Sequence, residues 1–248
     1  MQVFFLSLFP GMFAGPLTES ILERAQKAGI FSYQVINPRD YSKSVHLTVD
    51  DYSYGGGPGM VMQPGPIYRA HEEAQKQLAG KKVRTILLSP TGKRFTGEDV
   101  KRLAKEESLI FICGHYEGLD ERIVDLADES LSLGDFVLTG GELPAMVMVD
   151  AIARFLPGVL GHEEGAHDES FSEGLLEHPQ YTRPPIFEEK AVPDVLLSGH
   201  HGDIMNWRRR ESLVRTMRHR PDLLLQTDLS PADLKLLPLD PKTWEGKS

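Results

Sequence analysis

The sequence contains one cysteine, Cys113, in 248 residues. A single thiol cannot form a disulfide within the chain or supply a cysteine-based zinc site, and such sparse use of cysteine is typical of a reducing cytosol. Uncharged apolar runs are also short: the longest candidate, residues 143–149, ends at Asp150, far from the ~20 residues that span a bilayer. These absences exclude a disulfide scaffold and predict a soluble protein.

Basic residues are scarce at the N-terminus and in the chain as a whole. No Lys or Arg precedes Arg24, whereas a secretory signal starts with a positively charged segment, so the apolar residues 3–9 predict a buried first strand of a cytoplasmic protein. The net charge of −9 argues against indiscriminate coating of nucleic acid. Residues 201–220 nevertheless carry six Arg against Asp203 and Glu211, which predicts one local contact with a polyanion.

The first 155 residues alternate strand and helix patterns. Strands are predicted at 3–9, 31–36, 83–88, 109–113 and 130–133, and helices at 18–28, 65–78, 96–106, 117–127 and 142–155. Alternation of this kind predicts an α/β fold, in which a parallel sheet carries helices on both faces.

The composition changes after residue 156. The next stretch is acidic and rich in Gly and Pro, and it is followed by helical patterns at about 203–218 and after Ser230. We therefore expect three parts: a domain over 1–157, an acidic interdomain linker over 158–185, and a small α-helical C-terminal domain over 186–248.

Three glycine-containing loops follow predicted strands, at residues 88–92, 114–118 and 133–144. Ligands of an open parallel sheet bind just beyond the carboxyl ends of its strands, and Gly140-Gly141 also opens a helix, where free N–H groups collect. One such loop would be an ordinary tight turn, but three in succession predict a shared ligand site.

Familiar nucleotide and metal motifs are missing. Neither G-x-x-x-x-G-K-[ST] nor a G-x-G-x-x-G after the first strand occurs, which argues against P-loop and ordinary dinucleotide sites. The nine histidines include no pair at helical metal spacing with a third ligand, so we expect no metal site. The cluster Gly55-Gly56-Gly57-Pro58-Gly59 indicates by itself only a flexible loop.

Seven segments resemble, in order, the motifs of the bacterial tRNA (guanine-N(1))-methyltransferases of TrmD type, which belong to the knotted SPOUT class. The block from Gly134 to Ala145 is the most specific, and together the segments cover nearly the whole chain. They are Tyr54–Met60, Leu88-Ser89-Pro90, Cys113–Gly118, Gly134–Ala145, Arg154–Gly161, Ser170-Phe171 and Tyr181-Thr182-Arg183-Pro184.

The resemblance implies a trefoil knot at the C-terminal end of the N-terminal domain, with S-adenosylmethionine bound at the knot as methyl donor. It also implies a homodimer whose active site is shared between subunits, and a tRNA substrate methylated on the guanosine immediately 3′ of the anticodon. The family is associated with Mg²⁺, for which the sequence offers no cage. The donor residues implied by motif match are Leu88, Ser89, Pro90, Gly114, Tyr116, Glu117, Gly118, Leu133, Gly134, Asp135, Phe136, Val137, Leu138, Gly140, Gly141 and Pro144.

Methylation of a guanine ring nitrogen needs a base for its proton and a positive charge near the neighbouring carbonyl oxygen. Arg154 matches the family arginine that has the second role. The family usually has Asp directly before Ser-Phe, but this sequence reads Asp168-Glu169-Ser170-Phe171. The ungapped match favours Glu169 as the general base, and Asp168 is the alternative.

Two other functions are compatible with parts of the pattern. One is a knotted-class methyltransferase that acts on another RNA, although residues 55–60 and the linker motifs argue against it. The other is a non-enzymatic nucleic-acid-binding regulator that uses the basic helix for recognition. That second function would leave the three glycine loops unexplained.

Overall fold

The chain folds as two units, residues 1–163 and 164–248, and the computed structural model describes residues 1–161 and 169–237 of them. Every strand pair in the five-stranded sheet of the first unit is parallel, and the strand order is β2 (Ser32–Ile36), β1 (Gln2–Leu6), β6 (Ser108–Cys113), β5 (Val83–Arg94) and β7 (Glu129–Ser132). The predicted α/β fold with a parallel sheet is therefore confirmed. The elements are β1 (Gln2–Leu6), α1 (Ser20–Lys27), β2 (Ser32–Ile36), β3 (Asp50–Asp51), β4 (Val61–Met62), α2 (Pro64–Gln77), β5 (Val83–Arg94), α3 (Gly97–Leu103), β6 (Ser108–Cys113), β7 (Glu129–Ser132) and α4 (Glu142–Ala153).

Helices cover both faces of this sheet, as predicted. Val3 and Phe5 of β1 pack in one apolar cluster with residues of α1, α3 and α4, whereas Phe4 and Leu6 pack in a second cluster with Ile67 and other residues of α2. Successive side chains of a strand point to opposite faces. A strand buried on both faces therefore has no polar side, and all six residues of β6 are buried.

Several predicted boundaries differ from those observed. β1 ends at Leu6 and is followed by a 3₁₀ helix over Pro10–Phe13, which the Pro-Gly pair permits. Helix α1 begins at Ser20 and not at Thr18, whose hydroxyl accepts a hydrogen bond from Gly15 N (3.0 Å) in the preceding turn. The helix predicted over 117–127 is only a 3₁₀ helix over Glu121–Leu126; Gly118, at φ 137°, holds a backbone conformation that an α-helix cannot contain.

The start of α3 is fixed by a buried carboxylate. Asp99 Oδ2 accepts hydrogen bonds from the backbone N–H (3.1 Å) and the hydroxyl (3.0 Å) of Thr96, and its Oδ1 accepts from Lys93 (2.8 Å) and Arg102 (3.0 Å). Burial alone would raise the pKa of Asp99, but these bonds outweigh it and lower the pKa to about 2. The charged carboxylate thereby joins α3 to the end of β5.

The described part of the second unit is mainly helical. It contains the antiparallel hairpin β8 (Ile186–Phe187) and β9 (Lys190–Ala191), then α5 (Asp194–Leu197), α6 (His201–His219), α7 (Pro221–Leu224) and α8 (Pro231–Leu236). The sequence pattern predicted α6 and the cap of α8, where Ser230 Oγ accepts from Asp233 N (3.1 Å), but not the hairpin. Across 1–161 and 169–237, no helix is both long and apolar enough to cross a bilayer.

Part of the predicted linker is hydrogen-bonded to α6. Leu176 N donates to Thr216 Oγ1 (2.8 Å), and Ser212 Oγ donates to Leu176 O (2.5 Å). Leu175, next to them, is buried. Residues 175–176 are therefore packed on and hydrogen-bonded to α6 in the second unit.

Candidate active site

A cavity of about 330 Å³ opens where β5, β6 and β7 present their loops. Fourteen of the sixteen residues that the family resemblance assigns to the methyl donor line it. Gly134 and Asp135 do not, although they belong to the same turn, in which Ser132 Oγ donates to Gly134 O (3.1 Å). The lining residues among those predicted are Leu88, Ser89, Pro90, Gly114, Tyr116, Glu117, Gly118, Leu133, Phe136, Val137, Leu138, Gly140, Gly141 and Pro144.

Sequence reasoning missed other residues of the wall. The helix predicted over 117–127 gave no reason to place residues 119–124 at a ligand, yet four of them line the cavity because the chain there forms a loop and a 3₁₀ turn. The additional lining residues are Leu87, Thr91, His115, Leu119, Asp120, Glu121, Val124, Ser130, Leu131, Ser132 and Thr139.

The first loop interrupts a strand instead of following one, which corrects the sequence-based prediction. Leu88 and Lys93 both pair with Leu131 of β7, so residues 89–92 leave the sheet between them and the strand then resumes. The loop is closed by a hydrogen bond between Ser89 Oγ and Thr91 Oγ1 (2.9 Å). A Cβ at Gly92 would lie 2.6 Å from Leu131 N, so only glycine fits where the chain rejoins the sheet.

The second loop carries two rings at the cavity. Tyr116 adopts φ 60°, and its hydroxyl accepts a hydrogen bond from Arg39 (3.2 Å). The His115 ring packs against Phe9, with ring centroids 4.7 Å apart. A left-handed non-glycine residue stores strain and is frequent at ligand sites, and these contacts hold it in place.

The glycine-rich loop lies against this second loop. Glu117 N donates to Met60 O (3.0 Å), and Met62 N donates to Gly118 O (2.9 Å). A Cβ at Gly59 would overlap Glu117 Cγ, at 2.3 Å, so glycine is needed for the approach. The cluster that the sequence indicated only as a flexible loop therefore ends at the wall of the cavity.

The third loop joins β7 to α4 and brings the start of that helix against the end of β6. Gly141 N donates to Gly114 O (2.8 Å), and a Cβ at Gly141 would lie 2.7 Å from Cys113 Cα. Glu142, only 1% exposed, accepts a hydrogen bond from Ser7 Oγ (2.6 Å). Burial, with a smaller effect of the Glu142 charge, raises the pKa of the Cys113 thiol, which disfavours the reactive thiolate.

Arg154 lies at the other end of α4 and does not line the cavity. The helix is capped by Gly141 and Arg154, thirteen residues apart, which is about 20 Å at 1.5 Å per residue. The exposed positions Leu143, Val147 and Asp150 recur at the spacing of one helix face, and Arg154 continues it.

Glu169 is half-buried and belongs to the second unit. Its backbone carbonyl accepts hydrogen bonds from Ser172 N (3.1 Å) and Ser172 Oγ (2.6 Å), and Ser170 Oγ accepts from Glu177 N (3.0 Å). Glu169 therefore sits on a turn whose backbone is held by its own side chains. Asp168, the alternative base, lies outside the described residues.

The arginines of α6 are divided between two environments. Arg209 donates to both carboxylate oxygens of Asp233 (2.7 and 3.0 Å) and to Glu173 (3.2 Å), so it joins the helix to its neighbours. Arg210 pairs with Glu211 (3.0 Å). Arg208, by contrast, is exposed and has no ion pair within the described ranges. The expected polyanion contact therefore cannot use every arginine of the helix.

A metal cage is not evident in residues 1–161 and 169–237. No three His, Cys, Asp or Glu side chains in these ranges gather as ligands. The carboxylates of Glu117, Asp120 and Glu121 line the cavity without forming such a group. Mg²⁺ requires near-octahedral oxygen ligation, which a cluster of ligands would have to supply.

A sheet covered on both faces, with a cavity built from loops at one end of its strands, defines an α/β protein that binds a small ligand at the sheet edge. Comparison with known proteins narrows this class. Residues 1–226 match the family described as tRNA (Guanine-1)-methyltransferase TrmD, and the chain belongs to that family.

Similar curated proteins cover almost all of the chain. The tRNA (guanine-N(1)-)-methyltransferase of Bacillus subtilis (strain 168) is 52% identical over 246 residues, 99% of either chain. Proteins of the same name from Bacillus licheniformis and Desulforamulus reducens are 53% identical over 236 residues and 51% identical over 238 residues. These alignments cover 95% and 96% of this chain, and 97% and 94% of the two relatives.

We expect Gly141→Ala to lower the free energy of unfolding by about 1–3 kcal/mol, the usual cost of forcing a methyl group into a packed site. Gly141 has φ −81°, so the expected loss comes from contact with Cys113 and not from backbone strain. Gly97→Ala is the control, since no atom lies within 4 Å of its Cβ position. Chemical denaturation measures both, and equal stabilities would contradict the close approach.

Proposed function

We propose that this protein transfers a methyl group from S-adenosylmethionine to N1 of the guanosine immediately 3′ of the tRNA anticodon. The observation that carries the proposal is the coincidence of two independent facts. The chain belongs to the TrmD family along residues 1–226, and fourteen residues of the matching motifs line one cavity.

The cavity supplies what the methyl donor requires. The backbone at Gly114, Gly118 and Gly140 offers N–H and C=O groups to a ligand in the cavity, and the side chains of Leu133 and Leu138 provide an apolar lining. The bound donor supplies an electrophilic methyl group on a positively charged sulfur. The loop that leaves and re-enters β5 between Leu88 and Lys93 supports the trefoil knot that the SPOUT class implies.

The chemistry assigns one task to each of two side chains. The Glu169 carboxylate takes the N1 proton of guanine, while the bond from N1 to the methyl carbon forms and the bond from sulfur to that carbon breaks. Negative charge that develops on the guanine carbonyl oxygen is stabilised by the guanidinium of Arg154. Asp168 is the alternative base. A turn on the second unit can carry the base, because a catalytic group often completes its site only when substrate binds.

One protomer does not complete this site, and a second copy does. The axial length of α4 keeps Arg154 about 20 Å from Gly141, which lines the cavity. Leu143 and Val147 on the exposed face of α4, with Phe136 and Val137 beside them in sequence, are about half exposed or more. A symmetric dimer through this apolar face that pairs the two helices antiparallel would bring Arg154 of the partner subunit towards the cavity.

The remaining features fit an RNA substrate. Residues 54–60 end beside Glu117 at the cavity wall, and α6 supplies guanidinium groups for phosphate contacts. Because its substrate is tRNA, we place the enzyme in the cytoplasm. A knotted-class methyltransferase for another RNA would not explain the family match, and a regulator without activity would not need the cavity.

We expect the purified protein, given S-adenosylmethionine and a tRNA transcript with guanosine after the anticodon, to add one methyl group to that nucleotide. Mass spectrometry of nuclease fragments locates the methyl group. A transcript with adenosine at that position is the control and should stay unmodified. Methylation at another nucleotide, or none, would contradict the proposed function.

Glu169→Gln should lower single-turnover methyl transfer by roughly 10²–10⁴-fold, the range for loss of a general base. Affinity for donor and tRNA should change little, because the loss falls on the transition state. Glu173→Gln is the matched control: it alters a carboxylate of the same turn, which pairs with Arg209 at the surface. If Glu169→Gln is active and Asp168→Asn is not, Asp168 is the base; activity in both single variants and in the double variant would contradict the mechanism.

A mixed dimer tests the shared site. Thr91 is exposed and lines the cavity, so Thr91→Trp should block the donor without disturbing the core, whereas Thr91→Ser should bind it normally. Homodimers of Thr91→Trp and of Arg154→Ala should both be inactive. In a tagged dimer of one Thr91→Trp and one Arg154→Ala subunit, the open cavity of the Arg154→Ala subunit is completed by the arginine of the Thr91→Trp subunit. This dimer has one intact site and should recover about half of the wild-type turnover. An inactive mixed dimer would show that the cavity and the arginine of each active site come from the same chain, which would contradict the shared site.

A further inference from the structure

The segment Tyr181-Thr182-Arg183-Pro184 has no role in the proposed methyl transfer. In the second unit, its first three residues line a cavity of about 500 Å³ together with Trp207 and Arg208 of α6. This cavity lies entirely within the second unit and does not include the base-bearing residue Glu169. It borders a cavity of about 360 Å³ that Glu169 lines, and the two cavities share His178, Gln180 and Arg208.

Three rings meet at this cavity without stacking. The Trp207 ring centroid is 6.3 Å from that of His178 and 6.3 Å from that of Tyr181, at interplanar angles of 60° and 54°. Neither ring lies flat on the indole, so neither is stacked on it. Trp207 is half-buried and Tyr181 is 48% exposed. Fixed, partly exposed aromatic rings of this kind are suited to stacking with a flat ligand.

The charge of the cavity is positive although the protein is acidic. Arg183 and Arg208 line it and are exposed, and no Asp or Glu is among its described lining residues. Within the described ranges neither arginine has a hydrogen bond or ion pair, in contrast to Arg209 and Arg210 on the same helix. Two uncompensated guanidinium groups beside a tryptophan match a nucleotide, whose base stacks and whose phosphate accepts hydrogen bonds.

We infer that this cavity is a second nucleotide site, in which an unstacked base of the tRNA lies on Trp207 and its phosphate contacts Arg183 and Arg208. The inference rests on the proposed tRNA substrate but concerns a nucleotide other than the methylated guanosine. It gives the Tyr-Thr-Arg-Pro segment a role in holding the RNA and not in the methyl transfer.

Tryptophan fluorescence tests the stacking directly. The chain has two tryptophans, so Trp244→Phe leaves Trp207 as the only one. We expect tRNA, added without the methyl donor, to quench the fluorescence of Trp207 over the same concentration range in which the anisotropy of labelled tRNA reports binding. Bound tRNA should also protect Trp207 from quenching by acrylamide. A short unpaired oligoribonucleotide should quench and a blunt RNA duplex should not. Unchanged fluorescence with RNA bound would overturn the inference. It would also be overturned if the indole were already shielded from acrylamide in the free protein, because a second copy of the chain would then cover it.

Substitutions separate stacking from charge. Trp207→Ala should raise the Kd for tRNA roughly 5- to 150-fold, the range for loss of one base–aromatic stack, without changing the slope of log K against log salt. Trp207→Phe should retain most of the affinity. Arg183→Ala and Arg208→Ala should each reduce that slope by about 1. Arg210→Ala, which removes a guanidinium already paired with Glu211, is the control and should change the slope less.

The outcomes also distinguish this site from the proposed function. Thermal unfolding reports whether the second unit of each variant is folded, and donor affinity of the full chain reports whether the first unit is intact. If Trp207→Ala unfolds, the fluorescence titration and the salt dependence of Arg183→Ala and Arg208→Ala decide. Wild-type tRNA affinity in a folded Trp207→Ala variant overturns the second site and leaves methylation untouched. Absence of methylation by the wild-type protein contradicts the proposed function and does not affect the fluorescence result.

Discussion

Close approach of backbone to backbone, possible only without side chains, organises the first unit. The chain at Gly92 touches Leu131 of the neighbouring strand, and Gly141 at the start of α4 touches Cys113 at the end of β6. The first contact lies where the chain rejoins the sheet after residues 89–92, and the second holds the start of α4 against the end of β6. The loops that result converge on one volume. The cavity is therefore a consequence of how tightly three strands and a helix start are packed together.

The same packing separates the two halves of the proposed chemistry. Since α4 begins at the cavity, its length carries Arg154 about 20 Å away, and its exposed face displays Leu143 and Val147. An exposed apolar strip on a helix whose other face packs in the core is typical of a protein–protein contact. Association of two copies would bury the strip and supply the missing guanidinium, so stability and catalysis would depend on one interface.

Arginines of the second unit show that residue type alone does not assign a role. Arg209 is held in a bidentate pair with the buried Asp233, whose pKa these bonds lower strongly. This bidentate pair, in which Asp233 is buried and Arg209 is half-buried, joins α8 to α6. Arg208, the preceding residue, is exposed and lines a cavity together with Trp207. Adjacent positions of a helix differ by about 100° in direction, which is enough to separate a structural arginine from one available to RNA.

The sequence by itself determined the parallel α/β sheet with helices on both faces, because β1 and β6 are apolar without alternation and such strands must be covered twice. Local pattern also located the glycine loops, and motif resemblance identified fourteen residues that line one cavity. The sequence could not show that residues 89–92 interrupt a strand, that residues 117–120 are not helical, or that Gly59 lies against the Glu117 side chain. Each of these depends on contacts between segments distant in sequence. Only the tertiary structure decides such contacts. A glycine in the sequence permits a close approach of two segments, but it does not indicate which distant segment approaches it.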